Sequence, residues 1–321
     1  MLAKVVTLAA LLMLTPVAGA GADDYPSRPV RIVVPYPAGG PSDVAMRLLA
    51  EPLSRQLGHS IVIENRSGGA GQIGVEAAVQ ADRDGYTLVV GGLATQVLIP
   101  TIKTTRYDPA HDFIPLGQIS SAPQILTLRS SLGLKTMAEV IAHAKAYPGK
   151  FTVGSAGVGT NTHLAILLWA REAGIEVTHV PYRSTTLWVN DAVGNQIDSG
   201  FGEPKSLAGQ IEAGTLVPIA VASSQRIPQL PNLPTMAEAG LPGVQTENWF
   251  GLMALARTPT DTIERLKKAV RAAQDDPGYL ALLARDNTSA GAPGADSFAE
   301  VIRGDTARLT PLIHSLRDKL R

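Results

Sequence analysis

The apolar positions fall into short β-branched runs that alternate with helical repeats. "VRIVVPY" (residues 30–36) reads as a buried strand. After it, Leu49, Leu53 and Leu57 recur at four-residue spacing, which predicts a helix starting near Ser42 or Asp43 and ending at Gly58. Pro52 lies inside that repeat and predicts a kink or an early break. "SIVIEN" is a second strand, "RSGGAGQIG" a glycine loop, "VEAAVQA" a short helix and "YTLVVGG" a third strand. This β-loop-α-β alternation predicts a largely parallel sheet covered by helices.

The pattern breaks over residues 107–131, where proline and polar residues interrupt two apolar runs. It then resumes. A helix capped by Thr136 leads to the strand "KFTVGSA", the loop "GVGTNT" and the helix "HLAILLWAREAG". "IEVTHVPY" follows as a strand, "TTLWVNDAVGNQ" as a helix and "IDSGFG" as a strand end. "LVPIAVASS" is a strand that can carry the chain back, and the segment from 226 to 251 is irregular and proline-rich. The C-terminal part reads as helices packed on the first domain. The expected division is residues 23–121 with 224–321 as one discontinuous domain and 122–223 as the other, with crossings near 120–124 and 222–225.

The N-terminus departs from this scheme. Lys4, an apolar run and the small residues Ala18, Ala20 and Ala22 follow the order of a secretory signal. The run is shorter than the ~20 apolar residues of a membrane span and is interrupted by Thr15 and Pro16. The expectation is therefore a cleaved signal over residues 1–22 and an exported, periplasmic protein. Lys and Arg number 28 and Asp and Glu also 28, so the basic excess of a nucleic-acid binder is missing. The chain has no cysteine, which excludes disulfides and thiolate metal sites.

Two stretches share one design. "VVPYPAGGPSDVAMRLL" (33–49) and "FTVGSAGVGTNTHLAILLW" (151–169) each place a glycine turn between a buried strand and a helix start. The first helical turn carries unpaired N–H groups and the positive end of the helix dipole. Glycine lets a ligand approach that backbone closely. One such turn in each of two domains makes a cleft suited to a small organic anion. Other chemistry fits less well. "GSAGVGTNTH" is not a dinucleotide fingerprint, and no phosphate-binding P-loop occurs. "VGSAG" has Val153 where a nucleophile elbow needs glycine, although Ser155 with a distant His and Asp would make a hydrolase triad. The six histidines show no metal-ligand spacing. No cofactor is expected.

"YPSRPVRIVVPYPAGGPSDVAMRLLAEPLSRQLGHSIVIENRSGGAGQIG" resembles the first domain of the Bug family, the periplasmic receptors of tripartite tricarboxylate transporters. "VGSAGVGTNTHL", "HVPYR", "NQIDSGF", "IAVASSQRIPQLPNLPTMAEAG" and "WFGLMALARTP" follow in the family's order, so the likeness covers nearly the whole mature chain. The resemblance implies a clamshell of the type II periplasmic-binding-protein kind: two α/β domains with largely parallel sheets and a ligand cleft between them. It implies a receptor for a small organic carboxylate that serves membrane permease subunits, binds no nucleic acid and works as a monomer without catalysis. A ligand-sensing module for a membrane sensor kinase would share the fold, and a secreted serine hydrolase built on Ser155 is the enzymatic alternative.

The expected ligand-binding set follows from the loops and the resemblance together. In the first domain it comprises Tyr36, Ala38, Gly39, Gly40, Ser42 as helix cap, Asp43, Gln72 and Thr95. In the second it comprises Ser155, Gly157, Gly159, Thr160, His163, Tyr182 and Asp198, the last at an acidic position of the family. The sequence departs from the family in Ser184–Trp188 and Ala165–Trp169, which are expected to put bulk where the second domain meets the cleft. Trp188 itself reads as core filling.

Overall fold

The computed structural model describes residues 25–285 and 288–316. The expected signal segment, 1–22, lies outside the described residues. In chain order the first half contains β1 (Val30–Val34), α1 (Pro41–Leu57), β2 (Ile61–Asn65), α2 (Gln72–Val79), β3 (Thr87–Gly92), α3 (Ile99–Ile102) and β4 (Phe113–Pro123). Then come β5 (Ile125–Arg129), α4 (Met137–Ala146), β6 (Thr152–Ser155), α5 (Asn161–Ala173), β7 (Thr178–Pro181), α6 (Thr185–Val193), β8 (Ser199–Gly202), α7 (Pro204–Glu212) and β9 (Leu216–Val221). The chain ends with β10 (Glu247–Leu255), α8 (Thr260–Gln274), α9 (Pro277–Arg285) and α10 (Gly294–Ser315).

These elements form two sheets of the same design, ordered β2-β1-β3-β10-β4 and β7-β6-β8-β5-β9. Each is mixed. The antiparallel member of the first, β10, and of the second, β5, is the strand that enters directly after a passage from the other sheet. The remaining strands of each sheet point one way, because β10 and β5 each pair antiparallel with both neighbours. Each sheet with its helices forms one lobe.

Connectivity fixes how the lobes face. β4 runs in the direction of β1 and β3, so all three end at one edge of the first sheet. One residue, Gln124, separates β4 from β5. β5 starts opposite the end of β8, which is parallel to β6. The carboxyl ends of the parallel strands in both sheets therefore meet across the passage, where open α/β sheets hold ligands. The return segment, 225–245, stays with the second lobe. It bonds β9 through Val221 N–H to the Pro234 carbonyl at 2.9 Å and Met236 N–H to the Val221 carbonyl at 2.8 Å.

Helix α1 begins two residues earlier than a Ser42 cap would allow. Its N-cap is Gly40, with Pro41 in the first turn, a position where proline's missing N–H costs nothing. The helix also runs through Pro52 unbroken. Pro52 is buried beside Leu49 and Leu53 against the sheet, and this apolar face outweighs the lost hydrogen bond. The Thr136 cap forms as expected, as a reciprocal capping box with Glu139. Helices α8, α9 and α10 pack on the first lobe.

Trp188 fills the second lobe's core, as expected, and Trp169, in a stretch expected to put bulk at the cleft, lies in that core too. Trp188 is fully buried against the bare backbones of Gly154 in β6 and Gly200 in β8. Trp169 is buried edge-on to Phe151 and Phe201, and its indole N–H meets the Met137 sulfur at 3.3 Å. The two β-strand glycines make room for the Trp188 ring: a Cβ at Gly200 would stand 2.6 Å from it. Gly200→Ala is accordingly expected to destabilise by about 1–3 kcal/mol through overpacking, read as a lower urea midpoint with an unchanged m-value.

Candidate functional site

On the first lobe, the β1–α1 turn is braced by Asp43. Its carboxylate accepts the Gly39 N–H at 2.8 Å, Arg47 Nε at 2.9 Å and Asn65 Nδ2 at 2.9 Å. Asn65 also reaches the Tyr36 carbonyl, tying β2 to the same turn. Burial alone would raise the Asp43 pKa, but the bonds from Arg47, Gly39 and Asn65 outweigh it and hold the carboxyl below its ordinary value. Every oxygen of Asp43 is thus engaged by protein, and the residue shapes the turn rather than facing a ligand. Of the two glycines, Gly39 has the left-handed φ of 78° that the turn needs, while Gly40 is extended.

Ser42 is the second residue of α1, not its cap. It is 1 % exposed and its hydroxyl has no partner. Tyr36 packs on Phe250 and beside Gly71 and Thr95, with its buried hydroxyl also unpartnered. Thr95 is used internally: its Oγ1 accepts the Gly92 N–H at 3.0 Å and its carbonyl accepts the Tyr107 hydroxyl at 2.7 Å. Gln72 is turned along its own helix to Glu76 at 2.7 Å. Ala38 is exposed on the turn.

The β6–α5 turn of the second lobe is internally bonded. Gly157 N–H donates to Ser155 Oγ at 3.1 Å, Ala156 N–H to Thr162 Oγ1 at 2.9 Å and Gly159 N–H to His163 Nδ1 at 3.3 Å. Thr160 is the N-cap, accepting the His163 N–H and donating to the Gly157 carbonyl at 2.7 Å. The glycine N–H groups of both turns are thus spent within the protein. Gly39, Gly157 and Gly159 spend their donors on side chains that hold the turn, and Gly40 spends its own on the Pro37 carbonyl. The unspent donors lie one step further, in the first helical turns. They are the N–H groups of Ser42 and Asp43 in α1 and of Asn161 and Thr162 in α5. Asn161 is 4 % exposed and neither atom of its side-chain amide has a partner. It stands inside the quoted "GVGTNT" stretch, where the glycines and threonines drew the reading past it.

His163 stacks on His179 of β7 with ring centroids 3.9 Å apart. His179 Nε2 lies 2.6 Å from Ser155 Oγ. Ser155 Oγ accepts the Gly157 N–H, and its contact with His179 Nε2 joins the turn to β7 in either imidazole tautomer. Burial, then the neighbouring His179, pushes the His163 pKa down to about 3, and burial pushes His179 down as well. This pair lacks the third member of a hydrolase triad: among the described residues no carboxylate bonds His179, and Ser155 is fully buried. Tyr182 N–H bonds the Ser155 carbonyl at 3.0 Å, while its hydroxyl donates to Asp191 at 2.7 Å. Burial and then Asp191 raise that phenol to about 12.

Asp198 is not brought to the cleft. It precedes β8, at the opposite end from Ser155, and accepts Arg129 at 3.0 Å and Thr152 N–H and Oγ1 at 3.0 and 2.9 Å. It ties the starts of β6 and β8 to the end of β5.

The lobes touch at several points. Gly159 lies against Ile102 of α3, and Arg171 of α5 bonds Ser315 of α10 at 3.1 Å. Glu203, the N-cap of α7, accepts Asn248 Nδ2 of β10 at 2.7 Å, and burial raises its carboxyl pKa. Gly39, Pro41, Glu203, Asn248 and Phe250 line a cavity of about 250 Å3 between the lobes. Sequence reasoning missed Glu203, although Pro204 directly after it is a helix-start signal. A larger groove of about 680 Å3, beside Thr136 and Pro234, lies on the second lobe away from these turns. Among the described residues no three His, Asp or Glu side chains converge as a metal site.

Two α/β lobes that close their strand ends and helix starts around one cleft define a periplasmic-binding-protein receptor. The tripartite tricarboxylate transporter receptor profile matches residues 45–317, and the chain belongs to that family. It is 32% identical to the protein BugT of Bordetella pertussis over 257 residues, 78% of each chain. Among solved structures, an R. palustris protein with adipate is 31% identical with a TM-score of 0.81, covering 91% of this chain and 98% of that one. MatC from Rhodopseudomonas palustris with bound malate is 28% identical with a TM-score of 0.80, covering 90% and 100%.

Two predictions follow from the bonding. An unfolded histidine takes up its proton near 6.5, whereas folded His163 resists until about 3. Between those values the unfolded state binds the extra proton, so stability contributed by the neutral pair falls as pH is lowered from 6.5 toward 3. Thermal melts across that window should show the loss, and His163→Leu should flatten it. Asp198→Ala should cost about 2 kcal/mol by leaving Arg129 without its partner, yet leave the affinity for any cleft ligand within about twofold, as calorimetry beside a denaturant titration would show.

Proposed function

We propose that the protein is an extracytoplasmic, periplasmic receptor that captures a small organic carboxylate between its lobes and delivers it to the membrane permease subunits of a tripartite transporter. One observation carries the reading. Each lobe presents a helix start with two unspent backbone donors and a buried polar side chain without a partner, Ser42 in α1 and Asn161 in α5. Two such starts suit two carboxylate oxygens, or the two ends of a dicarboxylate, without a buried cation. The bound adipate and malate of the R. palustris relatives support this ligand class. Family membership favours import over sensing. Among the described residues no helix is long and apolar enough to cross a membrane.

In this reading the turn geometry and the helix dipoles carry charge recognition. Gly157 has a φ of 126°, and a Cβ there would stand 3.3 Å from the Tyr182 carbonyl, so Gly157→Val distorts the turn that aims α5. A thermal-shift panel of mono- and dicarboxylates with their neutral amides tests the proposal. A carboxylate at a hundred times its Kd adds about 2.7 kcal/mol of stability, and the matching amide adds far less. Gly157→Val should weaken the best carboxylate about tenfold or more, or about 1.4 kcal/mol, whereas Arg183→Ala should leave it nearly unchanged. Stabilisation by the amides as strong as by the acids, or loss of binding in Arg183→Ala with Gly157→Val unaffected, would overturn it.

A further inference from the structure

We infer that the ligand carries a hydroxyl on the carbon next to its carboxylate, and that Asn161 reads this carboxylate–hydroxyl pair. The inference rests on the carboxylate-receptor reading and narrows it.

Asn161 is the first residue of α5. Side chains at a helix start lean back over the N-terminal turn, toward the place where the unspent N–H groups of Asn161 and Thr162 point. Its amide is buried, and neither Nδ2 nor Oδ1 is bonded. A primary amide offers a donor and an acceptor side by side. A carboxylate with a plain alkyl body presents acceptors alone. It can take the Nδ2 proton, but it leaves Oδ1 desolvated and unpaired, which is the expensive half of the exchange. A 2-hydroxycarboxylate closes both, its carboxylate accepting from Nδ2 and its hydroxyl donating to Oδ1. A 2-ammonium group also donates, but the surroundings disfavour it. The side chains bonded into this loop are Ser155, Thr160, Thr162, His163 and His179, none of them anionic. The helix start is itself positive. Hydroxyl therefore fits where ammonium does not.

Calorimetry with matched acids that differ by this one group tests the assignment: L-malate against succinate, lactate against propionate, mandelate against phenylacetate, with L-aspartate as the ammonium arm. In the pair whose body fits the cleft, the full-length mature protein should bind the hydroxy acid about ten- to a hundredfold tighter than its partner, and L-aspartate more weakly than L-malate. Asn161→Leu, of similar size and without polar atoms, should bring that ratio to about one. Because the amide has no protein partner, the melting temperature of ligand-free Asn161→Leu should stay level or rise, and Asn161→Ala provides the same ratio should the larger side chain not be accommodated. Equal binding of both members by the wild type, a ratio preserved in both variants, or tighter binding of L-aspartate than of L-malate would overturn this inference while leaving the carboxylate reading intact. No binding of any acid would overturn both.

Discussion

The structure depends on a passage one residue long. β4 leaves the first sheet at Pro123 and β5 enters the second at Ile125. Gln124 between them has no slack to form a loop, so its carbonyl accepts the Ala222 N–H at 2.7 Å, and the Ala222 carbonyl accepts the Thr246 N–H at 2.9 Å. Three chain segments thus run side by side through the crossing, tied by backbone bonds. Because the strands do not turn as they cross, the carboxyl edge of one sheet is carried to the carboxyl edge of the other. The helix starts on both lobes meet at the cleft as a geometric consequence of that continuity. The side chains of Gln124 and Thr246 are fully buried there without partners.

Most of this frame was legible in the sequence because it rests on periodicity and punctuation. β-Branched runs at 30–34, 87–92 and 216–221, the glycines after them and the Thr136–Glu139 box are local signals with local causes. What was not legible depends on partners far along the chain. Ser42 looked like a cap because serine usually is one, but Pro41 takes the first helical position and Asp43 reaches back to Gly39 in its stead. Asp198 looked like a ligand contact because it matches an acidic position of the family, but it directly precedes the four-residue β8, at the end away from the cleft, held by Arg129 from an antiparallel strand. Trp188 was legible as core filling, but the glycines that seat its ring, Gly154 and Gly200, come from two other elements.

The glycine turns show most clearly where reasoning from a motif stops. Glycine was read as letting a ligand approach the backbone closely, and in the folded turns Gly39, Gly157 and Gly159 also supply the positive φ. A turn whose amides were all free would be held by nothing. The β6–α5 loop is held by Ser155, Thr162 and His163, each of which consumes a backbone donor. Rigidity is thereby gained at the cost of donors, and the unspent donors lie further on, in the first turn of α5. Preorganised dipoles of this kind need no reorganisation when an anion arrives.

The same division explains why neutrality matters on the second lobe. Gly159 donates to His163 Nδ1, so that imidazole acts as an acceptor, and His179 Nε2 is held against Ser155 Oγ. A proton on His163 Nδ1 would convert that acceptor to a donor and set it against the Gly159 N–H. The stacking of the rings at 3.9 Å adds repulsion if both charge. Burial suppresses that proton and so protects the shape of the turn. A cation there would attract a carboxylate more strongly, but by a long-range force that does not distinguish one acid from another. With the imidazoles neutral and the ion pairs of Asp43 and Asp198 kept within the scaffold, what the helix starts have left to offer is short-range hydrogen-bond donors, whose strength depends on the position of each acceptor that meets them.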